Sequence, residues 1–302
     1  MTEQLTGDRT LTRITTKQQL GPDAQVDDKA LVFVPTDPAL TDPFLALVED
    51  WFSTPGFEWH PHRGLETVTT VVDGVLEHGD NLGHAGALQA GEVQWMTAGR
   101  GIIHRELAYR DEHAHVLQMW LNLPAGKKLT PSRYQDLTTA AMPRVRAPGV
   151  TIDVHAGTVG GVTGATDTYH PVQGVVATLD PDALYVLQVP AEHRLFAHVM
   201  NGRLLIGGRE LHGGQTGWSD PVTGRSGDDG GAPAATSLHL AAVDPEQPAR
   251  VMVYSGTPIH EPVAMGGPFV MNTKLEITKA FADFHAGAFG PVPRQTRLAY
   301  DR

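Results

Sequence analysis

Two pairs of metal-capable side chains constrain this chain more than anything else in it: His60-Pro61-His62 and His104-Arg105-Glu106. Successive side chains on a strand point to opposite faces, so residues i and i+2 point the same way. If His60, His62, His104 and Glu106 act together, both segments must be strands that turn one face toward a shared cavity. Three neutral imidazoles and a carboxylate suit a borderline divalent metal such as Fe(II) or Mn(II), and four protein ligands leave octahedral positions for water or substrate. The chain contains no cysteine, which argues against a thiolate zinc site and removes disulfides and thiol chemistry. The plainer reading is polar residues that alternate by chance. The second alternating pair, following the Gly-rich Gly99-Arg100-Gly101 turn, weighs against it.

The surrounding sequence predicts short strands. Gly 33 and Pro 22 in 302 residues favour turns over long helices. Ala30–Val34, Thr67–Val72, Val75–His78, Gly86–Met96 with an Ala90-Gly91 turn, and His115–Leu123 read as strands, and Asp73-Gly74 reads as a hairpin turn. A Pro-containing, weakly periodic stretch from about Thr138 to Gly149 is the expected linker. A second series follows at Val150–Val154, Ala183–Val189, Leu195–Met200, Arg203–Ile206 and Ala249–Tyr254, again with an X-Gly dipeptide, Asn201-Gly202, between two apolar runs. The second half thus repeats the first in outline. Pro221–Thr236 is turn-rich and of low complexity, and is expected to be an exposed mobile loop. Thr273–His285 has helical periodicity, with a capping box formed by Thr273 and Glu276 and an apolar stripe of Leu275, Ile277, Ala280, Phe281 and Phe284. The fold class expected is all-β, with a short C-terminal helix.

The 23 basic and 34 acidic residues give a net charge of −11. An acidic chain without a basic run is a poor candidate for direct nucleic-acid binding. No secretory signal and no apolar run of membrane-spanning length is seen, so the expected location is the cytoplasm, with no membrane partner.

Three longer motifs carry a resemblance. His60-Pro61-His62-Arg63-Gly64-Leu65-Glu66-Thr67-Val68, then Gln94–Ile102 continuing to His104 and Glu106, then Leu117-Gln118-Met119-Trp120-Leu121-Asn122-Leu123 resemble the pirins. Gly267–Thr273 is similar to the segment that closes those proteins. The likeness runs from about Asp42 to about Phe284. It implies membership of the cupin superfamily: a bicupin of two small β-barrels facing each other, with an N-terminal cupin domain over residues 1–144 and a C-terminal one over 145–302. It implies iron, as Fe(II), held by His60, His62, His104 and Glu106 in the first barrel, and no metal in the second. Mn, Co, Ni, Cu and Zn ions are alternatives for the same donors. The second half agrees in having no His-X-His, with His193 and His198 five apart.

The resemblance also implies a function. Pirin-like proteins are associated with quercetin 2,3-dioxygenase activity, so the expected partners are a small aromatic substrate, a flavonol, and O2, with ring cleavage and release of carbon monoxide. Other pirins are described as metal- and redox-dependent regulators, so a protein partner, a transcription factor or metabolic enzyme, is the alternative. Leu65 stands where an aromatic is usual, Trp59 is a bulky residue just before the ligands, and the loop around Gly227–Gly231 is long; Trp59 and that loop bear on which substrate fits.

Glu106 is the catalytic candidate, a general base beside the metal. Glu66 is read as a partner for Arg63 or a group supporting the ligands, with direct ligation the lesser alternative. Gly64, Gly99 and Gly101 are expected to serve tight turns, and Arg100 a loop salt bridge. His113 and His115 form a competing pair on spacing alone, but Asp111 and Glu112 beside them indicate a solvated loop. Trp59, Val68, Met96 and Met119 are expected to wall an apolar pocket.

Overall fold

The computed structural model describes residues 8–53, 56–109, 112–222 and 235–293. Two compact units emerge, and neither is a single run of chain. One is Gln18–Ala141 with Ile259–Arg302; the other is Met1–Lys17 with Met142–Pro258. A single cut at 144/145 falls close to the changeover at 141/142, while each terminal segment packs with the unit of the opposite half. Strand Arg13–Thr16 pairs with Gln215–Ser219, and the helix Lys274–His285 packs on the two-stranded ribbon Ala264–Gly266 and Phe269–Met271. The expected linker is only partly one: Arg144–Ala147 is a strand that pairs with Val150–Ala156 across the Pro148-Gly149 turn.

In the first unit the organising element is one strand, Leu65–Asp80, of 16 residues. Its first half pairs with Val93–Thr97 and Ala114–Asn122; its second half pairs with Ala85–Gln89 and Ile102–Ala108. The expected hairpin at Asp73-Gly74 is therefore not a hairpin. Gly74, at φ +77, is the corner where the strand exchanges one set of partners for another, and a Cβ there would lie 1.9 Å from the carbonyl oxygen of His113. Asn201-Gly202 is the same device in the second unit. Arg194–Asn201 pairs with Gln215–Ser219 and Ala249–Gly256, whereas Arg203–Ile206 pairs in another sheet with Arg209–His212 and Ala235–Ala242. A positive-φ glycine between apolar runs marks a bend as readily as a turn, and sequence alone does not separate the two. The Ala90-Gly91 turn does join Ala85–Gln89 to Val93–Thr97.

Each unit buries the alternating face of its strands. Val71, Leu76, Leu88, Ala108 and Val116 form a core cluster in the first unit, and Val175, Ala177, Ala197, Val199, Val251 and Val253 belong to the core of the second. The helix is the one α-helix among the described residues. Thr273 caps it by accepting from the Glu276 amide, and Glu276 answers with its carboxylate at the Asn272 amide. Ala280, Ile277 and Phe284 pack inward, but Leu275 is 78% exposed and drops out of the expected stripe. No helix among the described residues is long and apolar enough to cross a membrane. Most of Pro221–Thr236 and of the first eight residues lies outside the described residues.

Gly64 closes the turn that leads from His62 into Leu65–Asp80. Its φ is +79, and a Cβ would meet the Val270 carbonyl oxygen at 2.0 Å. Its own amide donates to Gly99 O at 2.8 Å, and the buried Lys128 Nζ donates to its carbonyl at 2.8 Å. Gly64→Ala should lower the unfolding free energy by ~3 kcal/mol in chemical denaturation, from combined strain and overlap. A loss below about 0.5 kcal/mol would show that the turn yields freely.

Candidate metal centre

His60 and His62 stand on strand Phe57–His62, and His104 stands on Ile102–Ala108, with His60 directly opposite His104. Pro61 supplies the alternation that aims His60 and His62 to one side. The ring centroids are 4.3 Å apart for His60 and His104, 5.0 Å for His60 and His62, and 5.1 Å for His62 and His104. One ring nitrogen from each lies within 4.8 Å of the others, close enough to hold a metal ion.

Hydrogen bonds fix which nitrogen His60 and His62 offer. His60 Nδ1 meets the Glu58 carbonyl at 2.8 Å, and His62 Nδ1 meets the Pro268 carbonyl at 3.1 Å. A carbonyl only accepts, so both Nδ1 atoms carry the proton and both Nε2 atoms keep a free lone pair. His62 Nε2 and both ring nitrogens of His104 are buried without a hydrogen-bond partner. Burial first, and then the neighbouring imidazoles, push His62 down to about 3 and hold His104 well below the ordinary histidine value. The His62 and His104 rings are therefore neutral donors across the physiological range. Orphaned, neutral, convergent nitrogens fit a divalent cation and fit little else.

Glu106 shares the face of His104 but is not one of the 4.8 Å group. Its carboxylate accepts from Gln118 Nε2 at 3.0 and 2.8 Å and from Thr69 Oγ1 at 3.1 Å. Trp120 Nε1 donates to Gln118 Oε1 at 3.3 Å, and the Trp120 ring stands edge-on to His62 at 5.2 Å. Gln118 thus ties the carboxylate to the wall of the imidazole cluster. In sequence Gln118 and Trp120 are parts of a strand motif, and their i, i+2 spacing is the one signal of this role.

Register sorts the other candidates. Thr69 lies opposite Gln118 and Thr67 opposite both Trp120 and Met96, so these share the site face. Val68 lies opposite Met119 and Trp95, on the other face. The expected apolar wall is thereby corrected: Met96 belongs with the site, Val68 and Met119 do not. Glu66 also falls on the other face, buried, accepting from Thr97 Oγ1 at 2.6 Å. Arg63 pairs with Asp283 at 2.8 Å and donates to Arg100 O at 2.7 Å. Trp59 packs with Ile103, Phe269 and Phe289 beneath the Arg105 guanidinium. His113 and His115 go to separate acids, Asp73 at 2.8 Å and Glu49 at 2.9 Å, and do not form a joint site.

Comparison with known proteins agrees with this architecture. The family model described as Pirin matches residues 17–121, and that of the Pirin C-terminal cupin domain matches 174–290. Pirin-1 of Arabidopsis thaliana is 38% identical over 249 residues, 82% of this chain and 83% of its own length. Pirin of Homo sapiens is 36% identical over 245 residues, 80% and 81%. The crystal structure of a quercetin 2,3-dioxygenase from Acinetobacter baumannii superposes with a TM-score of 0.80 at 28% identity, covering 94% of this chain and 99% of that one. The chain belongs to the pirin family, and its fold is the all-β bicupin of that family.

Two outcomes follow. His62→Ala and His104→Ala should each abolish the visible absorption of bound Co(II), while His113→Ala leaves it unchanged; an equal loss in all three would move the metal elsewhere. In the metal-free protein, His62 and the likewise buried His155, both pushed to about 3, and His104, held well below its ordinary value, bind fewer protons folded than unfolded. The stability they permit is present above the unfolded value of about 6.5 and is lost as pH falls toward about 3, each steepening the slope by up to about 1.4 kcal/mol per pH unit. Asp50, raised by burial to about 7, works in the opposite sense, losing stability as pH rises. The imidazoles outnumber it, so the denaturation midpoint should fall on acidification from about pH 6.5 to 4; a flat profile contradicts the neutral-ring assignment.

Proposed function

We propose that this pirin is an iron-dependent dioxygenase of the quercetin 2,3-dioxygenase type, which opens the central ring of a flavonol with O2 and releases carbon monoxide. The observation that carries the reading is the convergence of three imidazoles, with His62 Nε2 and both His104 nitrogens buried and unpartnered, beside a carboxylate held by hydrogen-bond donors. His60, His62 and His104 are the nitrogen ligands and Glu106 the oxygen ligand. Fe(II) is the expected ion on the family resemblance, and the same donor set also suits Mn, Co, Ni, Cu or Zn. A metal held by these residues would lower the pKa of a coordinated hydroxyl and supply Lewis-acid and redox chemistry.

The chain's own residues supply the rest. Glu106 takes the proton of the flavonol hydroxyl, because it is the carboxylate on the site face next to His104. Gln118 and Thr69 aim that carboxylate by donating to it, which leaves it an acceptor. Trp120 and Met96 give the site face an apolar border suited to a flat aromatic molecule. The Pro268 carbonyl keeps His62 in the tautomer that presents Nε2 inward. Support from relatives is the activity named for the Acinetobacter baumannii protein.

Anaerobic reconstitution with Fe(II), followed by oxygen-dependent loss of quercetin absorbance, tests the proposal. Turnover should vanish in His62→Ala and fall at least about 100-fold in Glu106→Gln, both variants remaining folded. Gln118→Leu should keep the metal and lose about 10- to 100-fold in turnover, as expected for a residue that orients a ligand. Stoichiometric Fe(II) binding without any quercetin consumption would overturn the assignment.

A further inference from the structure

Arg105 stands between His104 and Glu106, so alternation turns its side chain to the reverse face of the strand, away from the imidazoles. It is 4% exposed. Its Nη2 donates to Glu77 Oε1 at 3.0 Å, a fully enclosed carboxylate on the neighbouring strand Leu65–Asp80. On the other side the guanidinium lies over the Trp59 ring, 5.1 Å from its centroid, on strand Phe57–His62. Gly79, directly opposite Arg105, has no side chain to claim this surface; a Cβ on it would already stand 3.8 Å from both Arg105 Nε and Trp59 Cη2. One cation thus joins three adjacent strands on the back of the sheet whose front carries His60, His62 and His104. Withdrawn from water, a guanidinium interacts more strongly with a carboxylate and an aromatic face than an exposed one does.

The strand that carries Trp59 is irregular at this point. Phe57 pairs with Glu106 and His60 with His104, so Glu58 and Trp59 together face Arg105 alone. Two residues against one make a β-bulge, a device that re-aims neighbouring side chains and is common beside active sites. The side chain that follows the bulge is His60. The bulge also supplies the Glu58 carbonyl, which accepts from His60 Nδ1 at 2.8 Å. His60 is the half-buried member of the trio, so enclosure confines it least. Its orientation depends on a carbonyl placed by the bulge, and the bulge is gripped from behind by the guanidinium over Trp59.

We propose that Arg105, Trp59 and Glu77 are positioning residues for His60. They hold the bulge at Glu58 and Trp59 so that the Glu58 carbonyl keeps the His60 ring protonated at Nδ1, with Nε2 turned toward the other two imidazoles. Trp59 therefore acts on the metal centre from behind rather than on the fit of a substrate. The inference rests on the reading of His60 as a metal ligand and is independent of which substrate is turned over.

The test is nitrogen NMR of the metal-free, full-length protein, which separates the two imidazole tautomers by their ring-nitrogen shifts, read beside Co(II) affinity. In the unaltered chain His60 should be protonated at Nδ1. Trp59→Leu keeps an apolar side chain against Ile103 and Phe269. It should turn His60 into a mixture of tautomers, leave His62, fixed by the Pro268 carbonyl, unchanged, and weaken Co(II) binding about tenfold. Trp59→Phe restores a ring to the guanidinium and should recover both readouts. Removing Arg105 alone takes the counter-charge from the enclosed Glu77 and endangers the fold. The second variant therefore replaces the pair, Arg105→Met with Glu77→Leu, and should keep the thermal midpoint while showing the same His60 change. Co(II) affinity unchanged in His60→Ala overturns the ligand reading on which the proposal rests. With that affinity lowered, three results overturn the clamp itself: His60 unaltered in both Trp59→Leu and the double variant; His62 changing together with His60, which marks a general loosening; or Trp59→Phe losing as much as Trp59→Leu, which assigns the effect to bulk alone.

Discussion

The first unit is arranged around three converging imidazoles, two of which, His62 and His104, are buried with no protein partner for the inward nitrogen. Burying such a group unpaired costs about 1–3 kcal/mol, and two together are tolerated only where the surrounding structure leaves them no alternative. His62 and His104 are fully enclosed, so their rings stay neutral and their lone pairs stay available. The same enclosure that destabilises the metal-free protein preorganises it for a cation.

Enclosure comes from distant parts of the chain. The carbonyl that fixes the His62 tautomer belongs to Pro268, 206 positions along. Asp283, on the C-terminal helix, holds Arg63, whose guanidinium also grips the Arg100 carbonyl, so that the turn after His62 and the turn before His104 are pinned together. Lys128, lowered to about 7 by burial, reaches the carbonyl of Gly64 and the side chain of Asn122. The C-terminal segment thus belongs physically with the unit whose site it completes, which explains why the closing Gly267–Thr273 stretch carries a family signature although it holds no ligand.

Much of this was legible because strand geometry is rigid. An i, i+2 spacing leaves no freedom in which face His60 and His62 share, and the family resemblance joined that pair to His104. The capping box of Thr273 and Glu276 was equally local and equally readable. What sequence could not settle were the relations set by pairing. Gly74 and Gly202 looked like hairpin turns because a bend and a turn need the same positive φ; only the partners on either side distinguish them. Val68 and Met119 looked like cavity residues because they flank the motif, yet one residue of register puts them on the far face with Glu66. Gln118 was passed over because its importance lies in a carboxylate that is remote from it in sequence on the same face. The exchange of terminal segments between the two units leaves no trace in periodicity at all.

The central claim is that His60, His62 and His104 share one ion through Nε2. An anomalous difference map at the iron edge, from crystals grown anaerobically with Fe(II), tests it most directly. The account predicts one peak in the first unit, about 2.1 Å from the three Nε2 atoms, with the Glu106 carboxylate as the oxygen donor. A peak at His113 and His115, or at the second unit's histidines, with nothing among the three imidazoles, would contradict it.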